Sequence, residues 1–146
     1  MKIFLACVAL ALTTIGCNSD DGGGNVTDPS QVNIEYTLSD LVVGTGTQAA
    51  VGNAVTVNYT GWLYNAQGTD SKGTQFDTSI GKVPLGPFTL GSRSLLLGFE
   101  QAVVGMRIGG KRRAYLPASL AYGSQGSGPI PPNASLVFEI DLLTVQ

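Results

Sequence analysis

The sequence predicts an α+β domain in which a curved antiparallel sheet wraps around one short helix. Beyond about residue 33 the apolar residues recur with a period of two over most of the chain. A single stretch near residues 95–103 carries the helical period instead. The 146 residues are 43% hydrophobic and only 12% charged, with 20 Gly and 7 Pro. That composition excludes a coiled coil, a long helical bundle and a highly charged disordered chain.

The first element is an address rather than part of the fold. Lys2 precedes an almost wholly apolar run from Ile3 to Ile15, too short to span a bilayer but the length of a signal-peptide core. Thr14-Ile15-Gly16-Cys17 resembles a bacterial lipobox, which implies a cleaved leader over 1–16 and a lipidated Cys17. The alternative is an ordinary secretory signal followed by an unrelated cysteine. Residues 17–33 are polar and Gly-rich and read as a flexible tether, with a reach on the order of 20–25 Å. The expected place of the protein is the bacterial cell envelope, on the periplasmic or outer-membrane face. Residues 34–146 form the domain.

Within the domain, Ile34 to Leu38 alternates, and Val55, Val57 and Tyr59 share one face of a cleaner strand. The long polar stretch from Trp62 to Gln75 reads as a surface excursion. Leu95, Leu96, Phe99, Ala102 and Val103 make one helical stripe, with Ser92 or Ser94 placed to cap it and Gly105 to end it. Arg113 to Leu116 is a strand that stops at Pro117. Leu136, Phe138, Ile140 and Leu142 form the last inward face, with Glu139 and Asp141 opposite. A lone helix among antiparallel strands belongs across the concave side of the sheet, where it seals the core.

The chain has no His, and its two Cys, Cys7 and Cys17, both precede the domain. Catalytic triads, Cys–His dyads, His general bases and His- or thiolate-ligated metals are therefore excluded from residues 34–146. No metal and no cofactor is expected. The domain has seven acidic and seven basic residues, so it has no charge excess with which to track a nucleic acid. Gly105 to Lys111 nearly spells a phosphate-binding loop, but Arg112 stands where Ser or Thr would hold magnesium, and the helix precedes instead of following. A tight turn leading basic residues onto a solvated strand face is the reading adopted.

Several segments remain: Val57 to Gly61, Phe76-Asp77, Leu90-Gly91, Leu95 to Glu100, Ala121-Tyr122-Gly123, Ile130-Pro131-Pro132, and Leu136-Val137-Phe138-Glu139. Each alone is ordinary core or loop. In this order and spacing, from Val43 to Val145, they resemble the FKBP-type peptidyl-prolyl cis–trans isomerases. The resemblance implies a half-barrel closed on the helix, with a hydrophobic pocket between the two. Its walls would be Tyr59, Phe76, Leu95, Leu96, Phe99, Tyr122, Ile130 and Phe138, with Phe99 as floor, and Asp77 and the Tyr122 hydroxyl as polar groups at the rim. It further implies proline-containing polypeptides as substrates and a macrolide inhibitor as a second ligand; a monomer is expected, held at the membrane through the Cys17 that the lipobox-like residues imply. Lys82 stands where the family often has Arg, so pairing with Asp77 would be through a point charge. Gly86 stands near a position that is often bulky, which would leave one wall open.

Such a pocket needs no nucleophile, metal or proton transfer. Amide resonance sets a rotation barrier of about 18–20 kcal/mol. At the twisted transition state that resonance is broken and the amide is less polar, so a dry apolar site disfavours the planar form more. A His-free domain can perform this chemistry. The other readings are a proline-segment-binding chaperone module with little turnover and a surface lipoprotein that merely reuses the fold.

Overall fold

Strand β2 (Ala54–Tyr64) organises the molecule, because it pairs along its whole length on one edge and is shared between two partners on the other. The protein is seen here as a computed structural model that describes residues 28–146. The expected leader, Cys17 and the tether up to residue 27 lie outside the described residues. Among the described residues the other strands are β1 (Thr37–Val42), β3 (Lys72–Thr78), β4 (Leu85–Thr89), β5 (Lys111–Leu116) and β6 (Leu136–Val145), and the single α-helix is α1 (Leu97–Val103). All pairings are antiparallel in the order β1-β5-β6-β2-β3, with β4 on the first half of β2.

The period-two faces land as expected. Val55 and Val57 from β2, and Leu136, Ile140 and Leu142 from β6, are fully buried against Ala102 and Val103 of α1. Glu139 and Asp141 point the other way, where Lys72, Arg113 and Lys111 pair with them. Helix α1 has only seven residues and cannot be stable alone, so this apolar contact supplies its stability. It ends at Val104, and Gly105 follows at φ 86°, in the left-handed region that favours glycine.

Four expectations are corrected. The helix is not capped by Ser92 or Ser94, whose hydroxyls bond each other and the Thr89 carbonyl; its N-cap is Leu96. The stretch from Trp62 to Gln75 is not one excursion, because Trp62 pairs with Gln75 and Tyr64 with Lys72, which leaves only a turn at 65–71. The basic residues of β5 do not lie on a solvated face. Arg112 bonds the Ala102 and Val104 carbonyls at 2.9 and 3.1 Å and pairs with Asp40, satisfying the C-terminal end of α1. Arg113 bridges Glu139 and Asp70, each at 2.9 Å, and Lys72 joins the same group while stacking over Trp62.

The fourth concerns the tether, which does not run to Asn33. Ser30 is 1% exposed, and its carbonyl accepts the Ser135 amide at 2.8 Å. The Val32 carbonyl accepts the Ser135 hydroxyl at 2.6 Å, and Gln31 Nε2 donates to the Pro132 carbonyl at 3.0 Å. The folded unit thus includes residues 28–33. A polar stretch with no apolar period reads as tether, yet its backbone can add hydrogen bonds to a loop that only folding brings near.

Candidate active site

The concave face of β2, β3 and β6, the approach to α1 and the β5–β6 connection enclose a cavity of about 310 Å³. Tyr59, Phe76, Asp77, Leu85, Ser94, Leu95, Leu96, Phe99, Tyr122 and Phe138 line it. The floor is an edge-to-face aromatic cluster. Phe99 meets Tyr59 at 5.6 Å between ring centres and 83°, and Phe138 at 5.2 Å and 84°. Phe76 stands on Phe138 at 5.6 Å and 89°. These are the preferred aromatic geometries, so the floor is rigid as well as apolar. Gly61 permits it: a Cβ there would lie 2.5 Å from Phe76 Cζ and 2.8 Å from Phe138 Cε1.

The leucine wall hangs on a buried acid. Glu100, 2% exposed, points its carboxylate back under the segment before the helix. It accepts the amides of Gly91 at 2.9 Å, Arg93 at 3.2 Å and Leu95 at 3.0 Å. A segment with no regular structure is thereby held with Leu95 and Leu96 facing the cavity. Reading the sequence missed this role; the available signal was one acid inside the stripe Leu95 to Val103.

The polar groups sit at the mouth. Asp77 Oδ2 accepts a short hydrogen bond from the Tyr59 hydroxyl, while Oδ1 accepts the Thr78 amide at 2.8 Å. The turn that follows is tied down by Ser79 Oγ, which accepts the Tyr59 amide at 2.9 Å and donates to Asn58 Oδ1 at 3.0 Å. Burial, then the bond to Asp77 and its charge, push the Tyr59 phenol far above its ordinary range near 10. Burial, then the Asp77 charge, also raise Tyr122. Both phenols are therefore donors at neutral pH. Tyr59 spends its proton on Asp77, whereas the Tyr122 hydroxyl has no protein acceptor among the described residues.

Eight of the nine expected pocket residues come together, but Ile130 does not. It lies on the β5–β6 connection, 5% exposed, as part of the core and outside the lining. Leu85 and Ser94 take part without having been expected. Lys82 makes no ion pair with Asp77 among the described residues; the Asp77 partner is Tyr59. Gly86 does not leave a wall open. A Cβ there would meet the Val55 carbonyl at 2.6 Å, so this position faces β2, and Leu85 supplies the wall.

Residues 45–143 match the family described as FKBP-type peptidyl-prolyl cis-trans isomerase. The chain belongs to that family. An FK506-binding protein of Neisseria meningitidis serogroup A is 40% identical over 109 residues, covering 74% of this chain and 94% of the relative. Among solved structures, a peptidyl-prolyl cis-trans isomerase from Pseudomonas syringae pv. tomato is 32% identical with a TM-score of 0.61, covering 84% of this chain and 86% of that one. FkpA from Escherichia coli is 30% identical with a TM-score of 0.63, covering 84% of this chain and 54% of its own. The FKBP-type isomerases thus account for the curled sheet, the single helix and the activity; the arrangement of the pocket is this chain's own geometry.

Proposed function

We propose that this isomerase acts on X–Pro bonds of exported polypeptides as they fold, in the 310 Å³ cavity over Phe99, while held at the envelope by a lipidated Cys17. The observation that carries the site assignment is the pairing of an apolar aromatic floor with one donor, the Tyr122 hydroxyl, that has no protein acceptor among the described residues. The prolyl ring enters against Phe99, Phe138 and Tyr59. Desolvation there disfavours the planar, polar amide relative to the twisted one, and this lowers the barrier with no bond made or broken. Tyr122 holds a carbonyl of the substrate, and Asp77, fixed by Tyr59, sets the field at the mouth. The Neisseria relative is named for binding FK506, and a macrolide of that type is proposed to compete for the same cavity. The domain works as a monomer.

The test is a protease-coupled isomerisation assay on a short X–Pro peptide, with and without the macrolide. Acceleration that Tyr122→Phe and Asp77→Ala reduce, and that the macrolide abolishes, supports the assignment. Folded variants with full activity would remove the site from these residues.

A further inference from the structure

Tyr122 stands on the connection from β5 to β6, residues 117–135, which is long and contains one short 3-10 turn, at 118–120. Its placement depends on what holds that connection. Internal ties act on both limbs: the Gly123 amide, immediately after Tyr122, donates to the Ala118 carbonyl at 2.9 Å, and the Gly123 carbonyl accepts the amide of Asn133 on the returning limb at 2.8 Å. The returning limb is in turn gripped from outside. Ser30, Val32 and Gln31 bond Ser135, Ser135 and Pro132 respectively, as described above. Asp28 stiffens the gripping segment, since its Oδ1 accepts both the Ser30 amide at 2.8 Å and the Ser30 hydroxyl at 2.6 Å. The space between the two segments is a groove lined by polar side chains, among them Gln31, Asn33, Ser119, Ser124 and Asn133, and by small residues. No large apolar side chain lines it, so the hydrogen bonds carry the attachment.

We propose that residues 28–33 are a strap that sets the position of the Tyr122 hydroxyl for the isomerase reaction. Ser30, Gln31, Val32 and Ser135 act as positioning residues through the Asn133–Gly123 bond. The inference rests on the reading that Tyr122 meets the substrate. It gives residues 28–33, outside the stretch that matches the family, a part in turnover.

The test uses the full chain carrying Gln31→Ala and Ser135→Ala together, and a second variant in which residues 29–31 are replaced by three glycines. Each is built with Tyr122 and with Tyr122→Phe, and folding is checked by near-ultraviolet circular dichroism. Amide exchange at Asn133 should quicken by about tenfold, while the β2–β6 amides hold their protection. With Tyr122 present, kcat/KM should fall about fivefold, one net hydrogen bond's worth; with Tyr122→Phe the fall should be less than about 1.5-fold. A purely structural strap would lower both backgrounds equally, and that result overturns the proposal. So does unchanged exchange at Asn133 in both variants. If Tyr122→Phe alone leaves kcat/KM untouched, the reading of Tyr122 as a substrate contact fails, and with it the strap's part in turnover. The exchange result would then report only on the loop.

Discussion

Removing the Glu100 carboxylate should cost this domain about 3 kcal/mol and loosen one wall of its active site. The carboxylate accepts three backbone amides at 2.9–3.2 Å from a side chain that is 2% exposed. Bonds to a charged group are worth about 1.5–3 kcal/mol each, but water can replace part of that where the donor is accessible. Gly91 and Arg93 are exposed, so in Glu100→Ala each forfeits only about 0.5–1 kcal/mol; Leu95 is half-buried and forfeits about 1–2. At about 4 °C per kcal/mol for a domain of this size, the midpoint of thermal unfolding should fall by roughly 12 °C. Glu100→Gln keeps one carbonyl acceptor and should fall by about half as much. Because the amides belong to the segment bearing Leu95 and Leu96, kcat/KM at a temperature where the variant is folded should drop about tenfold, equivalent to about 1.4 kcal/mol of transition-state stabilisation. Calorimetry and the peptide assay on the same preparation measure both. A midpoint lowered by less than about 2 °C in Glu100→Ala would show that the three bonds do not hold the wall, and the reasoning would fail.

Phe99→Ala should abolish most turnover and also destabilise by about 3–5 kcal/mol, so denaturant unfolding must accompany its assay. Tyr59→Phe leaves the floor in place but frees Asp77; activity should fall by less than in Tyr122→Phe, and an equal or larger loss would exchange the two roles. The rate on a peptide without ionisable groups should be flat from about pH 6 to 8, since the chain has no His and both site phenols titrate above their ordinary range. A sigmoidal step near neutrality would mean a proton switch. Glu139 is half-buried, which alone would raise its pKa, but the Lys72 and Arg113 hydrogen bonds and charges outweigh this and hold it below 4.5. The folded chain therefore binds that proton more weakly than the unfolded chain. The stabilisation is full above pH 4.5 and is lost as pH falls through the lowered value, and Glu139→Gln should flatten this part of the acid limb in urea titrations. Cys17→Ser should release the protein from the membrane fraction of an expressing bacterium without changing its peptide activity; no uptake of labelled fatty acid by the wild type would refute the lipidation.

Much of the fold was legible because burial leaves a period in the residues. Val55 and Val57 flank Thr56 on β2, and Phe138, Ile140 and Leu142 flank Glu139 and Asp141 on β6, since one face of each strand is buried in the core. The helix showed itself as the one stripe of period 3.6. Strands β3 and β4 left no such trace: Thr74 and Gln75 are exposed, Gly86-Pro87 breaks the apolar alternation within β4, and both strands lie outermost, where pairing with β2 alone orders them. Strap residues 28–33 left no trace for a related reason, because two of their bonds to Ser135 use the main-chain carbonyls of Ser30 and Val32, groups that every residue type possesses.

The sequence by itself determined the architecture, the family and most of the aromatic and aliphatic pocket, because these rest on side-chain type, periodicity and spacing. Tertiary structure alone decided that Ile130 is core and Leu85 is wall, that Asp77 bonds Tyr59 and not Lys82, that Glu100 fastens the leucine wall, and that the domain begins by Asp28. Each of these turns on direction and proximity across many residues. A buried acid or an orphan amide takes whichever partner the folded chain brings within about 3 Å, and no local pattern encodes that choice.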